Sequence, residues 1–126
     1  MKTQKQLIGT WGEDYAVQFL QKKRYTIIER NFRIRSGEID IIAWNEKKHF
    51  GKTLCFIEVK TRSYGQGSAE RATGKQKLQN LFVAARTFCL REKINMDTTP
   101  IQFEQVSVYG KEDKVERVDL YVIPIE

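Results

Sequence analysis

The chain has 126 residues, 40% hydrophobic and 30% charged, with two prolines and eight glycines. That length suits one domain with a core of its own, and the mix excludes disorder and low complexity. Lys and Arg outnumber Asp and Glu by 22 to 16, and the excess is uneven: residues 1–95 carry 19 basic and 9 acidic groups, residues 96–126 carry 3 and 7. A basic body followed by an acidic end favours a polyanionic partner, nucleic acid first.

Residues 4–23 read as a helix, with Ile8, Trp11, Tyr15 and Phe19 recurring at helical spacing beside Ala16 and Leu20. Gly9 and Gly12 weaken a helix and belong where it lies close to a neighbour. Lys22, Lys23 and Arg24 suit its C-terminus. Residues 25–34 are rich in β-formers and read as a strand; Ser36-Gly37 signals a turn. Strands follow at residues 38–44 and 53–61, joined by the polar segment NEKKHFGK. Thr73 and Gln76 have capping-box spacing, and Leu78, Leu81, Phe82, Ala85, Phe88 and Cys89 then mark one face of a second helix. Lys77, Arg86 and Arg91 fall elsewhere on its circumference. Residues 101–109 and 115–123 read as two closing strands. Helix, three strands, helix, two strands is an α+β or mixed α/β order, with helices packed on a small sheet.

Alternation along a strand puts Glu38 and Asp40 on one face, with Ile39, Ile41 and Ala43 on the other. Glu58 and Lys60 likewise share a face. A hairpin centred on His49 sets Asp40 opposite Glu58 and Glu38 opposite Lys60. Directly opposed side chains are about 5 Å apart, and two carboxylates at that distance require a cation. Lys60 supplies one charge; a divalent ion supplies more, and oxygen ligands of this kind suit Mg²⁺ or Mn²⁺. The alternative is a set of exposed cross-strand ion pairs. Against it stand the apolar residues that flank these acids, because charged groups in such runs need a partner or mark a site.

An acid in one strand followed by Glu-x-Lys in the next resembles the PD-(D/E)xK nuclease superfamily. More closely, GTWGEDYAVQFL, RNFRIRSGEIDIIAW, FIEVKTRS, KQKLQNLFVAAR and RVDLYVI resemble the YraN family of small bacterial proteins, predicted nucleases akin to archaeal Holliday junction resolvases. The resemblance runs from Ile8 to Ile123. It implies a single restriction-endonuclease-like domain over residues 1–126 and a metal-dependent nuclease acting on DNA, including branched or structured forms. It implies that Asp40 and Glu58 bind the metal and that Lys60 orients water or stabilises charge in the transition state. It also makes Glu13 an acid that approaches the metal. A glutamate in the first half of a helix is equally explained by the helix dipole. Glu38 belongs to the same GEID segment and supports the site. No proline precedes Asp40, so the literal PD pair is absent.

Arg33, Arg35, Arg62 and Lys75 are the expected contacts to the nucleic-acid backbone, with Arg30 and Arg71 as further candidates. Gln76 either lines the site or caps the helix. Trp11, Tyr15 and Phe19 are expected in the core; Trp44 and Tyr64 are the better stacking candidates. Cys55 and Cys89 read as buried thiols and His49 as exposed. With no secretory signal legible, the expected location is the cytoplasm, without a membrane partner. Symmetric cutting of two strands calls for a twofold homodimer. Two other readings stand beside the nuclease: a non-catalytic nucleic-acid-binding module of the same fold, and an interaction protein whose acidic end meets a basic partner.

Overall fold

A computed structural model describes residues 4–62, 75–111 and 114–124, with residues 4–10 and 75 described by their helical backbone alone. Seven elements follow the expected order: α1 (Gln4–Lys22), β1 (Thr26–Ile34), β2 (Gly37–Lys47), β3 (Gly51–Arg62), α2 (Lys75–Arg91), β4 (Ile101–Lys111) and β5 (Lys114–Val122). The strands form one mixed sheet in the order β1-β2-β3-β4-β5. The first three make an antiparallel meander, β3 and β4 are parallel, and β4 and β5 form a hairpin. The parallel step needs a crossover, and α2 provides it. This five-stranded mixed sheet flanked by two helices is the α/β arrangement expected of a restriction-endonuclease-like core. Among the described residues, no helix is long and apolar enough to cross a membrane.

Each face of the sheet carries its own core. Phe32, Ile39, Ile42, Leu54, Phe56 and Phe103 pack with Leu81, Ala85, Phe88 and Cys89 of α2. Ile41, Ala43, Cys55, Ile57, Val106 and Val108 pack with Ala16 and Leu20 of α1. Both cysteines are free and buried, as their apolar surroundings predict. Trp11 and Phe19 pack partly buried against the α1-side core. Tyr15 does not join them: it is 37% exposed, turned off the stripe that its spacing suggests. Trp44 packs against the α2-side core, its ring under Lys52 Nζ at 4.6 Å, instead of standing ready for a base. Tyr64 and Arg71 lie outside the described residues, as does Thr73 of the expected capping box.

The β2–β3 hairpin is centred on exposed His49, in the expected register, from Ile41 opposite Ile57 to Lys47 opposite Gly51. Its loop is shorter than NEKKHFGK suggests, because pairing continues to a tight turn that Gly51 closes at φ +73°. Before Ile41 the alternation fails. Ile39 lies in the α2-side core and Ile41 in the α1-side core, so the face resets at Asp40. Asn31, between the partners of Ile39 and Ile41, has φ +54°, and the β1–β2 register skips it. The kink frees the Asp40 side chain from the regular ladder.

Candidate active site

The site lies at the C-terminal end of β3, beside its parallel neighbour β4, the position where open α/β sheets place ligands. Asp40 and Glu58 meet there, but not as the ladder pair their register predicts. The β2–β3 ladder ends at Ile41 and Ile57, and Val59 N–H donates to Asp40 Oδ2 at 2.8 Å. A strand amide that would have bonded a backbone carbonyl instead fixes the carboxylate. Glu38 and Lys60 are likewise not paired; Glu38 Oε2 accepts from Arg33 Nε at 2.8 Å.

Glu58 is 5% exposed, and its Oε1 is buried without a hydrogen-bond partner among the described residues. Its Oε2 lies 3.5 Å from Lys77 Nζ. Burial first, then the Asp40 charge, push its carboxyl up to about 7, against the pull of Lys77 and Lys60. Asp40 is also raised, by burial, although the Val59 amide opposes the rise. The two acids therefore titrate as a pair. Lys60 is lowered by burial and by its hydrogen bond with Lys77. Burial acts in the same direction on Lys77, yet its bond to Lys60 and the charges of Glu58 and Asp40 raise it. Two lysines thus share one hydrogen bond beside two acids, and it favours the charged form of Lys77 over that of Lys60.

Lys77 is the residue that sequence reasoning misses. Its position off the apolar stripe of α2 reads as solvated. That stripe fixes only which face of α2 meets the sheet, and not how far the first turn extends over the end of β3. Gly37 permits the close approach: a Cβ there would stand 3.2 Å from both the Cβ and the carbonyl oxygen of Asn80. Between the start of β2 and α2 opens a cleft of about 370 Å³ lined by Gly37, Glu38, Glu58, Lys77, Asn80 and Leu81.

From the other face, α1 approaches the end of β3. A Cβ on Gly12 would stand 2.0 Å from Thr61 Oγ1, so a side chain there forces Thr61 to turn away. The next residue, Glu13, has its carboxyl raised by burial and by Asp40, and Arg30 opposes the rise from 3.8 Å. Glu13 therefore feels the Asp40 charge, with Arg30 as its counter-charge among the described residues. Among the described residues, no three His, Cys, Asp or Glu side chains are grouped to hold a metal.

The expected nucleic-acid contacts scatter. Arg62 adjoins the site on β3 and acts on the charge of Lys60. Arg33 is 74% exposed and tied to Glu38, while Arg35 is exposed in the β1–β2 turn. Gln76 is exposed and is not among the residues lining the cleft, but it donates at 3.2 Å to Oδ1 of Asn80, a cleft residue one turn along α2. Lys75 opens α2, and its side chain lies outside the described residues.

Residues 12–123 match the sequence model of the family described as "Uncharacterised protein family UPF0102". A UPF0102 protein of Desulforapulum autotrophicum is 38% identical over 121 residues, covering 95% of this chain and 93% of the relative. One of Chlorobium phaeobacteroides is 35% identical over 122 residues, covering 96% and 91%. One of Acetivibrio thermocellus is 38% identical over 126 residues, covering 97% and 92%.

Proposed function

This chain belongs to the uncharacterised protein family UPF0102, also called YraN, and we propose that it is a metal-dependent nuclease hydrolysing phosphodiester bonds in DNA. One observation carries the reading: Glu58 is buried next to Asp40 with a carboxylate oxygen that no described residue satisfies. A buried acid without a partner costs stability, and a bound cation reverses that cost. Two carboxylates suit Mg²⁺ or Mn²⁺, which complete their coordination with water and substrate phosphate. Asp40 and Glu58 would hold the ion.

A bound divalent ion supplies charge neutralisation at the phosphate and Lewis-acid activation of water. The protein's own groups do the rest. The Val59 amide keeps Asp40 aimed at the site. Lys60 orients the attacking water. Lys77, kept protonated by its neighbours, sets positive charge where negative charge develops on the phosphoryl oxygens. Attack of water forms the new bond to phosphorus and gives up a proton to solvent, while the bond to the sugar oxygen breaks and that oxygen takes up a proton from solvent. The basic excess over residues 1–95 supports DNA as the partner.

The test is a nicking assay on linear and branched DNA with Mg²⁺ or Mn²⁺, comparing the parent with Asp40→Asn, Glu58→Gln and Lys77→Ala. Cleavage by the parent and a loss of at least a hundredfold in the two acid variants are expected. Parental rates in Glu58→Gln would place any cleavage elsewhere. DNA binding without turnover on every substrate would favour the binding module.

A further inference from the structure

The face of the sheet that carries Glu58 and Lys60 does not end at β3. Parallel pairing sets Lys60 beside Ser107 and Arg62 beside Tyr109. The β4–β5 hairpin then sets Ser107 beside Asp119 and Tyr109 beside Arg117. Paired residues point to the same face, so Arg62, Tyr109 and Arg117 form one row across three strands, a rung beyond Lys60. Neighbouring strands lie about 4.8 Å apart, which puts the two arginines at the ends of a row roughly 10 Å wide.

Arg117 is built into this row. Its guanidinium lies over the Tyr109 ring, 4.2 Å from the centroid. Its Nε is 2.9 Å from Asp119 Oδ2, and Tyr121 OH donates to the same oxygen at 3.3 Å. Its side chain is still 60% exposed. The backbone is shaped to match. The β4–β5 register shifts between Tyr109 and Gly110, where φ is +135°, and a Cβ on Gly110 would strike the Lys114 carbonyl at 2.4 Å. A glycine bulge of this kind redirects the strand just after the tyrosine that supports the arginine. Held flat by the ring, latched at Nε and hydrogen-bonded to the Tyr109 side chain, Arg117 keeps a fixed place on the sheet while most of its side chain faces outward, where its charge can meet a phosphate.

We infer that Arg117 and Arg62, at the two ends of this row, form a phosphate clamp for the DNA backbone beyond the Glu58 cleft. The inference rests on the DNA reading above. It also accounts for a basic residue stacked and latched within the otherwise acidic end of the chain. A surface ion pair alone has no need of the stacking ring or of the glycine bulge.

The test is fluorescence anisotropy of a labelled 20-base-pair DNA duplex in EDTA, from 50 to 200 mM salt, with the full chain. Each lost phosphate contact lowers the logarithmic salt slope by about 0.9, which is about eightfold in affinity near 0.1 M salt. Arg117→Ala is expected to show both changes while melting at the parent's temperature. Parental affinity and slope in Arg117→Ala would overturn the clamp, whatever the nicking assay shows. A weakened Arg117→Ala together with a parent that never nicks DNA would support the clamp and contradict the nuclease reading.

Discussion

Glu58 and Glu104 are buried acids on neighbouring parallel strands, and they point to opposite faces of one sheet. Glu104 pairs across the ladder with Ile57, and Glu58 with Gln105. Glu104 is 1% exposed and fully answered: Tyr25 OH donates to Oε1 and Lys47 Nζ to Oε2, each at 2.8 Å. Lys47 also donates to the Tyr25 hydroxyl at 2.8 Å and sits 4.7 Å from its ring centroid. Burial and then the Glu104 charge push the Cys55 thiol up to about 12 and hold the Tyr25 phenol protonated. Glu58 has nearly the same burial, one oxygen without a partner, and two lysines that share a hydrogen bond with each other. Burial of a charge therefore does not by itself mark a site. A closed network is structure; an open one, facing a cleft, is a place for a ligand.

The contrast can be broken at either end. The largest effect belongs to Glu104→Gln. It leaves the Lys47 ammonium, 19% exposed, with no counter-charge in its network. Removing one partner of a buried pair costs about 3–5 kcal/mol, readable as a lower denaturation midpoint. Glu58→Gln is expected to do the reverse. The folded protein binds the Glu58 proton with a pKa of about 7, against 4.5 for the free side chain. Folding is therefore favoured most below pH 4.5, and stability is lost as pH rises through 7. A shift of that size corresponds to about 3 kcal/mol. In metal-free buffer the variant should match the parent near pH 4 and exceed it above pH 7. A parent curve that rises over this range would show Glu58 to be an ion-pair partner.

A smaller effect is expected at Gly12. Overpacking against Thr61 costs about 1–3 kcal/mol, and the gain in helix propensity from alanine returns about 1. Gly12→Ala should lose about 1 kcal/mol net by thermal melting. Glu38→Gln marks the low end: its pair with Arg33 is half exposed, so the loss should stay below about 1 kcal/mol and shrink in salt.

Most of the fold is legible in the sequence, because hydrophobic periodicity fixes element type and the His49 turn fixes the β2–β3 register. The site is legible as residue types but not as geometry. Asp40 and Glu58 carry the signal of acids among apolar residues, yet a direct cross-strand pair is the wrong picture. Alternation predicts no kink at Asp40, and no pattern shows that the Val59 amide will turn to a side chain. Lys77 and Arg117 are hidden for another reason. Each reaches its place through a long-range packing step, α2 over the end of β3 and β5 beside β4, that local periodicity does not encode. Glu104 shows the opposite failure. As an acid within a strand it looks no different from Glu58, and only its partners 79 and 57 residues away settle its role.

The central claim is that the Asp40–Glu58 centre is an open cation site. Thermal melting at pH 7.5, with and without millimolar Mn²⁺, tests it most directly in the parent, Glu58→Gln and Glu104→Gln. A ligand that binds only the folded state raises the melting temperature by mass action. The account predicts a rise with Mn²⁺ in the parent and in Glu104→Gln, and none in Glu58→Gln. No rise in the parent, or an equal rise in Glu58→Gln, would contradict it.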